Sequence, residues 1–325
     1  MLRPVLVTGA SGGLGAAVCE ALIGRGYRVR ATGRKASARV EGLGCDYVSA
    51  DLTDAGVLAA LTEGTQGVIH CAALSSPWDL YADFYDINVR ATRNLLNAAR
   101  DARVRRFVFV SSPSVYGRPV DQLGLSEADP VTDHPLNAYA ATKILAETEV
   151  CLAAANGLAA LSVRPRALVG PEDQVLLPRV LRLLAKGRFP LWRGGQALIE
   201  LTDVRDVAQA LVSAFERAEA LSGEVINISG GQAVPVRDMV QTLADGIGAP
   251  VQFVRLPYGL TASVARAAEV ICGRLPSRPE PPVTPYSLAT LAFSQTFDLS
   301  KARRVLDYKP QYDALKTAVE VARGR

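Results

Sequence analysis

The sequence predicts an α/β protein with a doubly wound parallel sheet, and three observations support this prediction. Short apolar runs alternate with helical patterns through the first half of the chain. The first run, residues 5–7, leads into a turn with Gly9, Gly12 and Gly15, and a helical pattern follows. The run 106–111 is almost wholly apolar, as expected for a strand covered on both faces. Parallel strands joined by right-handed crossovers form such a sheet, and ligands bind where its strands end.

The glycine turn after the first strand predicts a dinucleotide site. Gly9 allows a sharp turn with positive φ, Gly12 leaves room for a phosphate, and Gly15 lets the helix lie close to the strand. Free N–H groups at the start of the helix then face a pyrophosphate. The spacing is GxxGxxG rather than the commoner GxGxxG. The predicted contacts in this turn are Gly9, Ser11, Gly12, Gly13, Leu14 and Gly15.

The other elements follow in order along the chain. The patterns predict strands at 27–32, 46–50, 67–71, 106–111, 160–164 and 224–228, and helices at 79–102, 136–155, 177–186, 203–218, 236–247 and 260–275. Prolines and glycines become denser beyond about residue 170. Residues 1–170 are therefore expected to form the dinucleotide-binding domain, to which later segments return. Residues 171–325 are expected to form mainly a smaller substrate-binding lobe that closes over the strand ends.

The helix predicted at 260–275 is amphipathic and has three interpretations. Its apolar stripe consists of Leu260, Val264, Ala268, Ile271 and Leu275. Packing within the small lobe is the favoured one. The second is a lid over an apolar pocket. The third is shallow attachment to a membrane surface, with two arginines of the helix, Arg266 and Arg274, as anchors.

Composition and charge limit the expected partners. Of 325 residues, 49% are apolar and 21% are charged, which is sufficient for an ordinary core. The net charge of +4 is spread out, and basic residues are not interleaved with aromatic ones, so no nucleic acid is expected to bind. No apolar run reaches membrane-spanning length and no signal-peptide pattern is present. We therefore expect a cytoplasmic protein without an integral membrane segment.

The cysteines and histidines predict no metal site. The five cysteines are far apart in the sequence and form no CxxC motif, so reduced thiols are expected rather than disulfides. They are Cys19, Cys45, Cys71, Cys151 and Cys272. Only His70 and His134 are available as imidazoles, which disfavours a histidine-centred hydrolase or a zinc enzyme.

A tyrosine and a lysine four residues apart point to proton transfer. Tyr139 and Lys143 lie in a predicted helix, so they share one face of it. A phenol titrates near 10, and a nearby cation such as Lys143 would favour its phenolate. Ser112, at the carboxyl end of the strand 106–111, can donate a hydrogen bond to a substrate oxygen near Tyr139. With a nicotinamide, these groups would form a hydride-transfer site.

Together these motifs resemble the extended branch of the short-chain dehydrogenase/reductase family, over nearly the whole chain. The matching stretches are TGASGGLG (8–15), HCAA (70–73), NVRATRNLL (88–96), SSPSVYG (111–117), YAATK (139–143), RPRALVGP (164–171) and GEVINISGG (223–231). The resemblance implies a Rossmann sheet, and Ser112, Tyr139 and Lys143 as the catalytic triad. Ser111 and Ser114 are minor alternatives, each otherwise expected to hydrogen-bond within its loop.

The resemblance also implies which residues contact the cofactor. Beyond the glycine turn, the implied contacts are Arg34, Asp51, Leu52, Cys71, Ala72, Ala73, Asn88, Tyr139, Lys143 and Pro165. Relatives that use NAD end the second strand with an acid, whereas Gly33 occupies that place here and Arg34 follows. Arg34 can pair with a 2′-phosphate, so NADP(H) is favoured and NAD(H) is the alternative. Asp51 is expected to bond the adenine edge, or else to cap a helix together with Asp54.

The substrate half resembles the 3β-hydroxysteroid dehydrogenase-like branch, which implies an apolar alcohol or ketone as substrate. Nucleotide-sugar dehydratases carry two acids where Pro113 and Ser114 stand, and epimerases carry an asparagine where Ala167 stands. A nucleotide-sugar 4-epimerase is the alternative enzyme, and a non-catalytic dinucleotide sensor is the alternative from another class. In the family the helices at 79–102 and 136–155 pair between subunits, so a homodimer is expected.

Overall fold

The computed structural model describes residues 3–76, 78–173 and 176–324. The strands are β1 Val5–Thr8, β2 Val29–Gly33, β3 Asp46–Ser49, β4 Gly67–His70, β5 Arg106–Val110, β6 Gln122–Leu125, β7 Ala159–Pro165, β8 Leu168–Val169, β9 Arg188–Trp192, β10 Leu198–Glu200, β11 Thr202–Asp203, β12 Val225–Ile228, β13 Ala233–Pro235, β14 Gln252–Leu256 and β15 Gln295–Phe297.

The helices alternate with the strands through the first half of the chain. They are α1 Gly13–Gly24, α2 Ala38–Gly42, α3 Ala55–Thr62, α4 Tyr81–Tyr85, α5 Ala91–Asp101, α6 Ala138–Ala155, α7 Leu177–Leu184, α8 Val204–Glu216, α9 Val236–Gly246, α10 Tyr258–Arg274, α11 Pro285–Ala292, α12 Ser300–Leu306 and α13 Ala314–Arg323. A π-helical turn, Asp86–Arg90, joins α4 to α5, and Pro113–Tyr116 forms a 3₁₀ turn.

Seven of the described strands form one parallel sheet in the order β12-β7-β5-β4-β1-β2-β3. The strands β1 and β4 are buried at every residue, which explains their continuous apolar sequences. The strand order reverses at β1, because β2 lies on one side of it and β4 on the other. A crevice therefore opens between the carboxyl ends of β1 and β4. The predicted doubly wound sheet is confirmed.

Two elements from the second half of the chain return to this sheet and its helices. The strand β12 pairs with β7, and the helix α8 packs against α1. A separate apolar core joins α7, α9 and α13 with β9 and β10. A second sheet, in the order β13-β10-β15-β6, takes β6 from the first half of the chain. The chain therefore passes from the core of the main sheet to the separate apolar core and back again.

The helix predicted at 260–275 packs on α11 in the second half of the chain, as the favoured interpretation expects, but the predicted packing face is wrong. The helix exists as α10, but its predicted inner stripe faces outward: Leu260, Val264 and Ile271 are 66%, 60% and 61% exposed. Ala265 is the residue of α10 that is buried. Amphipathic spacing identifies which side chains share a face but not what that face contacts. Among the described helices, none is both long and apolar enough to cross a bilayer.

Candidate active site

The glycine turn has the geometry of a phosphate cradle. Gly9 adopts φ +67°, and a Cβ there would lie 2.6 Å from the Ala72 nitrogen. A Cβ on Gly15 would overlap the Gly9 carbonyl oxygen. Gly12 is the N-cap of α1, and no side chain caps that end and no acid lies in its first turn. The uncapped N–H groups and the absence of side-chain bulk fit a pyrophosphate.

Other predicted contacts surround this turn. Ser11 lies beside the end of β2, Leu14 packs on the main core, and Gly13 lies against Glu172, whose Cβ would be 3.2 Å from a Cβ at Gly13. The Glu172 carboxylate pairs with Arg39 at 3.0 Å. The glycine turn is therefore covered on one side by an acidic side chain that an arginine already neutralises.

The end of β2 has no acid and leaves an arginine exposed. A Cβ at Gly33 would lie 2.5 Å from Ser11 Oγ and 2.8 Å from the Tyr47 hydroxyl oxygen. An aspartate or glutamate at Gly33 would need that space, so it does not fit there without displacing both neighbours. Arg34 follows directly and is exposed to solvent. The cation lies where an adenosine ribose would reach this edge of the sheet.

Asp51 follows β3 and does not cap a helix. Its Oδ1 accepts hydrogen bonds from the Thr53 N–H (2.9 Å) and the Thr53 hydroxyl (2.8 Å). Asp54 caps α3 instead, through an N–H of the first turn at 2.8 Å. The Thr53 N–H, then its hydroxyl, and also the charge of Arg34 lower the pKa of Asp51. The capping alternative for Asp51 is therefore wrong, and its carboxylate is exposed next to the half-buried Leu52.

A buried histidine orders the end of β4. His70 Nδ1 lies 2.6 Å from Thr8 Oγ1, and Nε2 lies 2.9 Å from Thr92 Oγ1. The Thr92 hydroxyl donates to the Asn88 carbonyl at 2.8 Å, so it accepts from His70, which assigns the ring proton to Nε2. Thr8 then donates to Nδ1 and accepts from the Ala72 N–H at 3.2 Å. Neutral His70 thus connects the ends of β1 and β4 to the following helix.

Because His70 is neutral when folded, we expect it to weaken the protein in acid. Burial, and then the charge of Lys143, lowers its pKa from 6.5 to about 3. As the pH falls below 6.5 the unfolded chain takes up this proton first, so stability is lost down to pH 3 at up to about 1.4 kcal/mol per pH unit. His70→Gln removes this titration. Its stability deficit in urea unfolding should therefore shrink from pH 7 to pH 4.

The exposed His134 provides the control for that measurement. His134→Gln should follow the wild-type pH dependence within error. A deficit of His70→Gln that stays constant from pH 7 to pH 4 would contradict the neutral histidine.

Both polar atoms of the Asn88 side chain are hydrogen-bonded to other protein groups. It is 1% exposed, its Oδ1 accepts from the Leu74 N–H at 2.8 Å, and its Nδ2 donates to the Leu74 carbonyl and the Thr142 hydroxyl, both at 3.2 Å. It therefore holds the segment after β4, which contains three predicted cofactor contacts, Cys71, Ala72 and Ala73. The Asn88 side chain therefore positions that segment, and its predicted contact with the cofactor stays a prediction. Pro165, another predicted contact, ends β7 and is buried.

The serines after β5 differ in their hydrogen bonds. Ser112 caps the 3₁₀ turn, because its Oγ accepts from the Ser114 N–H at 3.2 Å. The hydroxyls of Ser111 and Ser114 are buried and have no hydrogen-bond partner among the described residues. The expected loop hydrogen bonds of these two hydroxyls are therefore not found. The Ser112 oxygen is held by a backbone N–H, which leaves its proton free to donate.

Tyr139 presents a buried phenol near the end of β5. Burial, and then the Tyr286 phenol, raises its pKa to about 12, while the hydroxyls of Ser112 and Ser75 act in the opposite direction. The centre of the Phe84 ring lies 6.4 Å from that of Tyr139. At neutral pH the phenol is protonated and can act as an acid.

Lys143 is buried one turn further along α6. Its Nζ donates to the Val110 carbonyl at 2.7 Å, lies 4.6 Å from the centre of the Phe109 ring, and lies 5.8 Å from the centre of the Tyr139 ring. Burial lowers its pKa to about 8. Lys143 is not among the groups that set the pKa of Tyr139. The expected lowering of that pKa by Lys143 is therefore not found.

A buried ion pair fixes the helix that carries Tyr139. Arg164 on β7 binds Glu147 on α6 through two hydrogen bonds, Nε to Oε1 at 2.7 Å and Nη2 to Oε2 at 2.5 Å. The two side chains are 5% and 10% exposed. The Tyr116 hydroxyl also accepts from Arg164. This bidentate geometry holds α6 in a defined position over the sheet.

Three polar side chains at this edge of the sheet were not predicted from the sequence. Two of them change the pKa of the Tyr139 phenol: Tyr286 raises it and Ser75 lowers it. Arg166 is 7% exposed, and its Nε has no partner among the described residues. Arg166 could have been predicted as a site residue, because it is a cation placed directly after a buried strand. The sequence around Tyr286 gives no such indication, because α11 follows a proline-rich connector far along the chain.

Comparisons with known proteins identify the family of the chain. The model of the NAD dependent epimerase/dehydratase family matches residues 5–229. A 2-alkyl-3-oxoalkanoate reductase of Stenotrophomonas maltophilia is 33% identical over 317 residues, 94% of each chain. A 3beta-hydroxysteroid-dehydrogenase/decarboxylase of Arabidopsis thaliana is 31% identical over 279 residues, 81% of this chain and 49% of that protein.

A solved structure, described as the crystal structure of gox2253, superimposes with a TM-score of 0.82 at 28% identity. The match covers 99% of this chain and 98% of that one. Named relatives are reductases and dehydrogenases of oxo or hydroxy compounds, which supports an NAD(P)-dependent oxidoreductase. The chain belongs to the NAD dependent epimerase/dehydratase family, as an extended short-chain dehydrogenase/reductase.

Proposed function

We propose that the protein is an NADPH-dependent reductase that converts the ketone of an apolar substrate into a secondary alcohol. The observation that carries this proposal is the position of the Tyr139 phenol, which is protonated at neutral pH and lies on α6 with the Lys143 ammonium 5.8 Å from its ring centre. It lies beyond the glycine turn at the edge of the sheet where a dinucleotide is held. Ketone reduction needs such a donor at the carbonyl oxygen.

Each residue of the site has one role in this reaction. The bound reduced nicotinamide supplies the hydride. Ser112 donates a hydrogen bond to the ketone oxygen and orients it, and Tyr139 transfers its phenolic proton to that oxygen as the hydroxyl forms. Lys143, with its ammonium at the Val110 carbonyl, is placed to hold the nicotinamide ribose. The N–H groups at the start of α1 bind the pyrophosphate.

The end of β2 supports NADP(H) over NAD(H). Gly33 stands where NAD-specific relatives carry the acid that binds the ribose hydroxyls, and the Ser11 and Tyr47 hydroxyls occupy the space that such an acid would need. The exposed Arg34 is available for a 2′-phosphate, to which a guanidinium binds through charge-assisted hydrogen bonds.

Arg34→Ala is expected to weaken NADPH binding selectively. Loss of a charge-assisted bond costs about 1.5–3 kcal/mol, which corresponds to a roughly 10- to 100-fold rise in the Kd of NADPH with little change for NADH. Titration followed by nicotinamide fluorescence measures both constants. Lys35→Ala, at the next exposed residue, is the matched control and should change the ratio of the two constants less than threefold. Equal weakening of both nucleotides by Arg34→Ala would refute the assignment.

Two features support an apolar substrate rather than a nucleotide sugar. The relative from Stenotrophomonas maltophilia is named for an alkyl oxo acid. Ala167 has no polar side chain at the place where epimerases carry an asparagine that contacts the diphosphate. This supports a ketoreductase over a 4-epimerase, although the two share the fold.

We propose that the protein is a cytoplasmic homodimer that pairs through α5 and α6. Leu145 and Leu152 of α6 are 39% and 53% exposed, and Tyr81 on α4 is 52% exposed. These residues would be covered by a second copy. The free thiols among the described cysteines support a reducing compartment. Sedimentation equilibrium of wild type and Leu152→Glu tests the dimer, since the variant should be monomeric.

A further inference from the structure

A narrow cleft lies beside the proposed active site. It lies between the 3₁₀ turn Pro113–Tyr116 and α11, is partly open to solvent, and has a volume of about 20 Å³, which is the room of one small polar group. Ser114, Arg166 and Tyr286 are among the residues that line it. The Ser114 N–H donates to Ser112 Oγ at 3.2 Å, so the cleft lies next to the serine of the proposed site.

Arg166 reaches this cleft as a buried and incompletely paired cation. It is 7% exposed, and its Nε has no hydrogen-bond partner among the described residues. The buried Glu200 interacts with Arg166 through space, but its carboxylate accepts its hydrogen bonds from the Ser229 hydroxyl and the Phe297 N–H. Burying an unpaired charge costs free energy, so an anionic ligand that pairs with Arg166 would offset that cost.

The remaining polar lining also favours an anion. Among the residues that line the cleft there is no aspartate or glutamate, whereas a second arginine, Arg118, is present. Arg118 already donates to the Pro130 and Val131 carbonyls, at 3.5 and 3.3 Å. The buried Ser114 hydroxyl has no partner among the described residues and can donate to the same ligand as Arg166.

The apolar lining distinguishes between two kinds of anion. Val120, Leu136, Ala289 and Phe293 contribute carbon surface to the same cleft. Uncharged polar side chains also line it, those of Gln122, Thr290, Ser294 and Gln295. A carboxylate on an apolar chain can place its charge at Arg166 and its carbon atoms against the four apolar residues. A nucleoside diphosphate would place polar phosphates and sugar against the carbon surface.

We propose that Arg166, assisted by Ser114, binds the carboxylate of the substrate and thereby selects acidic ketones over neutral ones. This inference rests on the proposed function for its reaction, and it adds the charge of the substrate and the residue that recognises it. Arg166 touches the substrate away from the reacting carbonyl, so it determines specificity and does not move the proton.

The test measures binding rather than turnover. Calorimetric titration with octanoate and with octan-1-ol is expected to give a Kd that is roughly 10- to 100-fold lower for the acid in the wild type. Arg166→Met should abolish that preference, Ser114→Ala should reduce it several-fold, and Arg118→Gln should retain most of it. Loss of the preference in Arg118→Gln but not in Arg166→Met would overturn the proposal, as would UDP binding that depends on Arg166 and excludes octanoate.

Stability separates a binding role from a structural one. Methionine keeps most of the side-chain volume but leaves the buried Glu200 without the charge that lowers its pKa, so Arg166→Met is expected to lower the Tm of the ligand-free protein. A saturating concentration of octanoate should raise the Tm of the wild type and should leave the Tm of Arg166→Met unchanged. An equal rise in both proteins would overturn the proposal. A protein that binds octanoate through Arg166 yet reduces no ketone would refute only the proposed function. A protein that reduces neutral ketones without any Arg166-dependent preference would refute only the carboxylate subsite.

Discussion

Tyr139→Phe is expected to lower kcat for ketone reduction by roughly 100- to 10,000-fold. The change removes the one phenolic oxygen and leaves the ring, which lies 6.4 Å from the Phe84 ring, in place. General acid catalysis contributes about this factor, because without it the developing alkoxide has no proton donor at neutral pH. The measurement is the rate of NADPH oxidation with a saturating apolar ketone.

The control for this variant is nucleotide binding. The Kd of NADPH should change less than threefold in Tyr139→Phe, and Tyr312→Phe, at an exposed tyrosine far along the chain, should keep the wild-type kcat. A Tyr139→Phe enzyme with more than a tenth of the wild-type kcat would show that another group donates the proton.

Gly15→Ala is expected to abolish dinucleotide binding and to destabilise the protein by several kcal/mol. The added Cβ would overlap the Gly9 carbonyl oxygen and lie 2.7 Å from Ala10 Cα, both of them backbone atoms that no rotamer change can move. The turn must shift to make room, and overpacking of this kind costs about 1–3 kcal/mol or more. Urea unfolding and NADPH titration measure the two effects.

Gly24→Ala is the matched control because it lies in the same helix and its Cβ would meet nothing within 4 Å. It should stabilise α1 by up to about 1 kcal/mol through helix propensity, with NADPH binding retained. If Gly15→Ala binds NADPH as tightly as the wild type, the close approach of helix and strand is not what shapes the phosphate cradle.

The features that the sequence predicted correctly are those that local residues determine. The apolar runs 5–7 and 106–111 became β1 and β5 of the parallel sheet, and the positive φ expected at Gly9 is present. In each case the cause lies within a few neighbouring residues: burial on both faces for the strands and the missing Cβ for the turn.

The features that the sequence did not predict depend on packing between residues that are far apart along the chain. The pKa of Tyr139 follows from burial and from Tyr286, which belongs to a helix far along the chain. The apolar stripe of α10 has the period of a packed helix, yet Leu260 and Ile271 face outward, because periodicity does not specify a partner. The hydrogen bonds of Asn88 to Leu74 and Thr142 are a third case, since its motif gives no sign of these partners.

Transfer of deuterium to an alkyl oxo acid from NADPH that carries deuterium at both C4 positions of the nicotinamide tests the proposed reduction most directly. We expect one deuterium on the new carbinol carbon of the product, found by mass spectrometry, and loss of that product in Tyr139→Phe. The contradicting result is tight NADPH binding with no deuterated alcohol from any ketone tested. Interconversion of a nucleotide sugar without net oxidation of the cofactor would likewise contradict it, in favour of an epimerase.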